Sequence, residues 1–222
     1  MQRTLVIGDV HGCLDELQAL LRQAGAGRGD RVVLAGDLVA KGPDSRGVVH
    51  LVREIGALAV LGNHDAYSLD VWRRRRQGET RHPRRWLLDT LDDSDWAFLE
   101  SLPLFLRLGA EREGGPEAAV VHAGAVPGIA LEDQERDNLL SLRSMVGGTA
   151  PTRRLLMRWP WAAAWRGPEH IVFGHDAVRG LQQYPLATGV DTGCVYGRAL
   201  TALELPSRRL YTVAARRRYA AV

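Results

Sequence analysis

Short apolar runs recur along the chain, and segments of helical or loop character separate them. Five of these runs are four or five residues long, which is typical of strands buried on both faces. They are residues 4–7, 31–35, 57–61, 118–121 and 169–173. Leucines at helical spacing follow the first run, and valines at helical spacing follow the second. This alternation predicts an α/β fold with parallel strands and helices on the sheet faces.

Side chains that bind metals follow the apolar runs directly. They are Asp9 and His11, Asp37, Asn63 and His64, His122, and His175. Because the carboxyl ends of parallel strands meet at one sheet edge, we expect these groups to converge. Aspartate, histidine and asparagine ligands suit divalent ions such as manganese, iron or zinc. A carboxylate can bridge two such ions, and paired ions catalyse in-line phosphoryl transfer.

Length and composition favour one globular domain over residues 1–222. The hydrophobic share of 45% and the charged share of 25% are ordinary for a soluble protein. We expect residues from about 67 to 102, which are rich in arginine, tryptophan and aspartate, to form a helical insertion. No apolar run of about 18 residues is present, so we expect no membrane partner. Only two cysteines and no signal-peptide pattern predict a cytoplasmic location.

The charge distribution says more than the net charge of +3, which implies no partner by itself. A basic block lies within the predicted insertion. It comprises Arg73 to Arg76, Arg81, Arg84 and Arg85. Two interpretations stay open. The block forms either a solvated helix face or a surface that attracts and binds an anionic substrate.

Five ordered segments together resemble the motifs of a known enzyme group. They are Gly8-Asp9-Val10-His11-Gly12, Gly36-Asp37 with Val39 and Lys41-Gly42, Gly62-Asn63-His64-Asp65, His122-Ala123-Gly124, and Gly174-His175. The group is the metallo-dependent phosphatases of the phosphoprotein phosphatase superfamily. Residues 41–45 and 187–197 are similar to the symmetrical diadenosine tetraphosphate hydrolases and related phosphatases. The resemblance implies a calcineurin-like metallophosphoesterase β-sandwich flanked by helices.

The resemblance also implies a role for each motif residue. The first of two divalent ions, most simply manganese, would be bound by Asp9, His11 and Asp37. Asp37 would bridge to the second ion, whose remaining ligands would be Asn63, His122 and His175. Iron, cobalt or zinc would suit the same ligands.

The remaining roles concern the substrate. His64 would donate a proton to the leaving oxygen, and Arg143 and Lys41 would bind the phosphate. Arg143 falls in residues 131–145, whose spacing predicts a helix. Lys41 replaces the arginine usual in protein phosphatases, and Ala40 replaces the aspartate that orients their catalytic histidine. Asp65 is a candidate to orient His64 instead, and this departure favours the nucleotide-hydrolase branch.

Three functions are compatible with this sequence. The first is symmetrical hydrolysis of diadenosine tetraphosphate to two ADP by a metal-bridging hydroxide. The second is a phosphomonoesterase for phosphoserine or phosphothreonine proteins, or one of broad specificity, with the same metal site. The third is a binding module without catalysis, which the complete ligand set disfavours. The expected partner is an anionic nucleotide, with capped RNA as a further candidate substrate; the oligomeric state stays open.

Overall fold

The computed structural model describes residues 2–79, 85–110 and 114–221 and contains two five-stranded sheets. In spatial order, the first sheet comprises β12 (Leu210–Ala214), β11 (Ala199–Leu205), β1 (Thr4–Ile7), β2 (Arg31–Leu34) and β3 (Leu58–Ala59). The second comprises β4 (Phe105–Ala110), β5 (Glu117–Val121), β8 (His170–Phe173), β10 (Ala187–Gly189) and β9 (Gln182–Tyr184). A small hairpin is formed by β6 (Ser144–Val146) and β7 (Ala150–Thr152).

Helices flank the sheets. They are α1 (Leu14–Gln23), α2 (Ser45–Glu54), α3 (Asn63–Arg76), α4 (Arg85–Thr90), α5 (Asp93–Glu100), α6 (Arg136–Ser141) and α7 (Trp161–Ala164). Two 3₁₀ turns cover Leu131–Asp133 and Cys194–Tyr196. Each sheet has three neighbouring parallel strands. In the first sheet the antiparallel pairings of β11 and β12 lie on one side only, whereas in the second β4 and β9 pair antiparallel at the two edges. The predicted α/β sandwich and its five apolar strands are therefore confirmed.

Alternating side chains divide the core into three layers. Val33 of β2 packs between the two sheets, whereas its neighbour Leu34 packs against the helices on the outer face. In β8, Val172 likewise faces the other sheet, and Phe173 packs on the opposite face against Trp161 of α7. This period of two makes every central strand apolar on both faces, which explains the continuous apolar runs in the sequence.

Helices α3, α4 and α5 fall between β3 and β4, where the sequence predicts a helical insertion over about 67–102. The assignment of residues 1–222 to one domain with such an insertion stays a prediction. Among the helices that the structure describes, none is sufficiently long and apolar to cross a bilayer.

The predicted helix over residues 131–145 is only partly formed, as a 3₁₀ turn over Leu131–Asp133 and the short helix α6 over Arg136–Ser141. Helix α6 ends at Ser141, and strand β6 begins at Ser144, so Arg143 lies between a helix and a strand. The Arg143 amide donates to the carbonyl oxygen of Thr152, and the Met145 amide donates to that of Trp159. These pairings with later segments override the local helical spacing.

Strand β11 pairs with β1 and carries a charged cluster at the sheet end far from the ligand-bearing loops. Nε of Arg3 donates to Oε2 of Glu204 at 2.7 Å, and the Tyr211 hydroxyl donates to the same oxygen at 2.9 Å. The Ser207 hydroxyl donates to Oε1 of Glu204. Together these hydrogen bonds lower the pKa of Glu204 to about 2, and the bond from Ser207 contributes most.

We expect Glu204→Gln to destabilise the protein by about 1–2 kcal/mol at pH 7. A carboxyl whose pKa falls on folding contributes stability above its unfolded value of 4.5, and this is lost as the pH falls toward about 2. The difference from the wild type in urea unfolding should therefore shrink from pH 5 to pH 3. The exposed Glu54→Gln is the matched control, and a pH-independent difference would contradict the expectation.

Candidate functional site

All six predicted metal ligands come together where the central strands of both sheets end. Asp9 and His11 follow β1, Asp37 follows β2, and Asn63 follows β3. His122 and His175 follow the parallel strands β5 and β8 of the second sheet. The site therefore lies at the edge shared by the two sheets, as expected from the strand-end pattern.

The Asp37 carboxylate is at the centre of this group. Its Oδ2 lies 3.3 Å from Nε2 of His11, and its Oδ1 lies 3.6 Å from Nε2 of His122. Ligand atoms of Asp9, Asp37 and His122 all lie within 4.8 Å of one another, as do those of His11, Asp37 and His64. Asp37 belongs to both sets, as a shared carboxylate must. The sets otherwise divide the ligands differently from the prediction, because they group Asp9 with His122 rather than with His11.

Asn63, which follows a strand of the first sheet, contacts two histidines that follow strands of the second. Oδ1 of Asn63 lies 2.8 Å from Nε2 of His122 and 3.0 Å from Nδ1 of His175. The His175 amide donates to Oδ1 of Asp9 at 3.0 Å, so the two strand ends are bonded directly. Within the described residues, Nε2 of His175 is buried without a hydrogen-bond partner.

Close backbone contacts bring the loops together. The His11 amide donates to the Asp37 carbonyl oxygen at 2.7 Å. A Cβ atom on Gly62 would overlap the amide nitrogen and Oδ1 of Asp37. His11, Asp37 and His175 have φ values of 49°, 51° and 67°, in the left-handed region that favours glycine. These three residues therefore keep their side chains at the site at the cost of an unfavourable backbone conformation.

The contacts of the Asp65 carboxylate are with backbone amides, and its suggested role in orienting His64 stays a prediction. Its Oδ1 accepts a hydrogen bond from the amide of Val39, and its Oδ2 accepts from those of Leu38 and Gly62. The carboxylate is fully buried and anchors the loop after Asp37. These contacts make Asp65 a structural anchor and give no support to the orientation of His64 by its carboxylate.

His64 is held at its backbone and beside His11. Its amide, in the first turn of α3, donates to Oδ1 of Asp37 at 2.8 Å. Its ring packs edge-on against the His11 ring, with 5.0 Å between centroids. The imidazole therefore lies at the same cluster as the predicted ligands.

Two cationic side chains border the cluster. Nζ of Lys41 lies 3.1 Å from Nε2 of His11 and donates to the Tyr196 hydroxyl at 2.7 Å. Nη2 of Arg143 donates to the His175 carbonyl oxygen at 3.4 Å, and a quarter of its side chain is exposed. Both predicted phosphate-binding residues thus lie beside predicted metal ligands. Tyr196, from the turn after β10, helps to position Lys41.

Asp191 is a further buried carboxylate at this site. It follows β10 just as Asp9 follows β1, so the strand-end signal was available for it. Its carboxyl is within hydrogen-bonding reach of Asp9. Burial, together with the charge of Asp37, raises the pKa of Asp191 to about 6.

Burial sets the charge balance of the site. It raises the pKa of Asp9 well above its usual range, and the nearby carboxylates of Asp191 and Asp37 add to this effect. Burial also lowers the pKa of His122 to about 4 and that of His175 well below its usual range, which favours neutral imidazoles. Neutral imidazoles add no positive charge to balance the buried carboxylates, which leaves Lys41 to lower the pKa of Asp9.

The residues present fit divalent metal ions. Neutral imidazole nitrogens and carboxylate oxygens are the donors that such ions bind. A cation would also satisfy the unpartnered nitrogen of His175 and compensate the carboxylates. The donor set lacks cysteine, since buried Cys13 and Cys194 lie beside Glu16 in a separate cluster.

The basic block is largely ion-paired where the structure describes it. Arg73 pairs with Glu100, Arg74 with Asp70 and Arg75 with Asp89, and Arg76 lies over the ring of Trp72. Arg81 and Arg84 lie outside the described residues, as does the side chain of Arg85. These pairs favour the solvated-face interpretation of residues 73–76.

Comparisons with known proteins give a family model and several named relatives. Residues 2–190 match the family model described as calcineurin-like phosphoesterase. A protein of Aromatoleum aromaticum named Bis(5'-nucleosyl)-tetraphosphatase, symmetrical, is 30% identical, and the match covers 93% of this chain and 95% of that protein. Bis(5'-nucleosyl)-tetraphosphatase PrpE [asymmetrical] of Oceanobacillus iheyensis is 28% identical, covering 97% and 94%.

A solved structure supports the same relationship. A crystal structure described provisionally as a diadenosine tetraphosphatase superimposes with a TM-score of 0.83 at 36% identity. The superposition covers 96% of this chain and 94% of the other. The sheet edge that carries the candidate site is therefore part of a shared architecture, rather than a local peculiarity of this chain.

We expect Asp37→Asn to reduce bound metal from two ions per chain to one or none and to abolish turnover in parallel, because both ligand sets lose their shared charge. Metal content after manganese loading and desalting measures this directly. The exposed Asp133→Asn should retain two ions. An Asp37→Asn protein with two ions and near-normal turnover would contradict the central role of this carboxylate.

Proposed function

Because this chain belongs to the calcineurin-like phosphoesterase family, we propose that it hydrolyses diadenosine tetraphosphate symmetrically into two ADP molecules. The observation that carries the proposal is the convergence of two overlapping ligand sets on Asp37, with Lys41 and Arg143 beside them. The tetraphosphatase names of relatives that match over almost the whole chain support the substrate class.

The family uses divalent metal ions, and the chain contains candidate groups to hold them. We assign Asp9, His11 and Asp37 to one ion, and we assign Asn63, His122 and His175, with Asp37 shared, to the other. Manganese is the proposed metal, since the mixed oxygen and imidazole donors suit it. Iron, cobalt and zinc suit the same donors. When bound, the ions would lower the pKa of a water molecule and stabilise negative charge on the phosphate.

Three side chains have the remaining roles of binding the phosphate and donating a proton. The guanidinium of Arg143 and the ammonium of Lys41 bind phosphate oxygens and orient an inner phosphorus for in-line attack. The water oxygen forms a bond to this phosphorus as the bond to the bridging oxygen of the leaving ADP breaks. His64 donates the proton that the leaving oxygen takes up. The attacking water loses both of its protons to solvent or buffer, and one proton from solvent restores the one that His64 has donated.

A phosphomonoesterase is the second candidate, because the same site would hydrolyse a phosphoserine or an aryl phosphate. The ion pairs of Arg73, Arg74 and Arg75 favour this candidate over a substrate that depends on the basic block. We also propose a cytoplasmic location, which the free thiols of Cys13 and Cys194 support.

His64→Asn should retain both metal ions and lose about 10²–10⁴-fold in kcat on diadenosine tetraphosphate. The loss should be much smaller on an activated aryl phosphate, whose leaving group needs no proton. Steady-state kinetics on both substrates measure the difference. Equal losses would show that His64 positions groups rather than donates a proton.

The products decide between the candidate functions. We expect ADP as the only nucleotide product, with one oxygen-18 atom from labelled water in one of the two ADP molecules. Chromatography and mass spectrometry of a single-turnover reaction measure both quantities, and capped RNA and a phosphopeptide are tested in parallel. AMP with ATP would show asymmetrical attack, as in the name of the Oceanobacillus relative. Fast phosphopeptide hydrolysis without dinucleotide turnover would establish the phosphomonoesterase.

A further inference from the structure

Arg179 is a buried arginine that no motif predicts. It lies in the segment after β8, four residues beyond His175, and only 6% of its side chain is exposed. Burying a guanidinium is costly unless its charge is paired and its N–H groups are bonded. Nε has no hydrogen-bond partner among the described residues, so the contacts of the two terminal nitrogens offset this cost and indicate what the side chain holds in place.

Those contacts reach the segment that carries Arg143. Nη1 of Arg179 donates to the Arg143 carbonyl oxygen at 3.2 Å, and Nη2 donates to the Ser144 hydroxyl at 2.9 Å. Nη2 also donates to the Leu156 carbonyl oxygen at 2.7 Å. One planar group thus joins the start of β6 to the segment after β7, directly at the backbone of Arg143.

Asp176 connects this arrangement to the site. Its buried carboxylate forms an ion pair with Arg179 through Oδ2, and its Oδ1 lies 3.7 Å from Nη1 of Arg143. The carbonyl oxygen of His175, the preceding residue, accepts from Nη2 of Arg143. Arg143 is therefore held at both ends, with its backbone bonded to Arg179 and its guanidinium beside Asp176 and His175.

We propose that Asp176 and Arg179 form a positioning pair that directs the Arg143 guanidinium toward the phosphate. The inference rests on the proposed function, in which Arg143 binds phosphate. A free arginine side chain samples many rotamers, and ordering it at binding lowers affinity. The pair orders Arg143 in advance, and it acts on the substrate only through Arg143.

The test uses inorganic phosphate as the probe and aryl phosphate hydrolysis as the reporter, so it does not depend on the dinucleotide. The inhibition constant of phosphate is measured for the wild type, Arg143→Met, Arg179→Met and the double variant. We expect each single substitution to raise this constant about ten- to hundredfold. Because both act at one guanidinium, the double variant should resemble Arg143→Met within about twofold.

Additive effects in the double variant would overturn the proposal, because Arg179 would then act independently of Arg143. An unchanged inhibition constant in Arg179→Met would also overturn it. If Arg143→Met itself has no effect, Arg143 does not bind phosphate and the pair has nothing to position. That failure is distinct from failure of the proposed substrate, which the nucleotide products report.

Matched variants separate positioning from folding. Arg153→Met removes an exposed arginine from the same region, where it pairs with Asp137, and should leave phosphate inhibition unchanged. Arg179→Lys retains the charge beside Asp176 but lacks the planar fork, so we expect only partial recovery of phosphate affinity. If Arg179→Met fails to fold, the same double-variant comparison with Arg179→Lys decides the question. If the effects of Arg143→Met and Arg179→Lys on the inhibition constant add in their double variant, the proposal is overturned too.

Discussion

The contact of one carboxylate with three other chain segments is the constraint on which this site depends. Asp37 lies at the end of β2, its side chain meets His11 and His122, and the His64 amide donates to it. These partners come from the loops after β1, β5 and β3. Gly62 has no room for a side chain because it packs directly on Asp37. A shift of Asp37 would therefore displace loops of both sheets.

The electrostatics of the site oppose folding and favour ligand binding. Burial raises the pKa values of Asp9, Asp65 and Asp191 in the folded state. Each of these carboxyls thus costs stability when it is ionised at neutral pH. Asp65 recovers part of its cost through three backbone amides, whereas Asp9 and Asp191 each accept from one backbone amide, that of His175 and that of Gly193. Cation binding would reverse the balance, and stability would then depend on metal concentration.

Local patterns predicted the residues that end each central strand, whereas the features they missed depend on long-range pairing. Asp37 and His122 could be found because an apolar run ended immediately before each of them. Arg143 was assigned to a helix because spacing over residues 131–145 carries no information about pairing with Thr152 and Trp159. Arg179 had no local signal apart from Asp176, three residues before it, since its other side-chain acceptors lie 23 to 36 residues away. The pairing of β11 with β1 across the whole chain was equally inaccessible.

The left-handed backbone of His11, Asp37 and His175 has a consequence for laboratory evolution. Each non-glycine residue in this region costs about 1–2 kcal/mol, which glycine would recover. A screen for thermal tolerance in the absence of metal would therefore enrich substitutions at the residues assigned to metal binding. Such a screen would select stable, inactive proteins from a library. Selection with metal present would oppose this trend, because metal binding stabilises the folded protein with its left-handed residues.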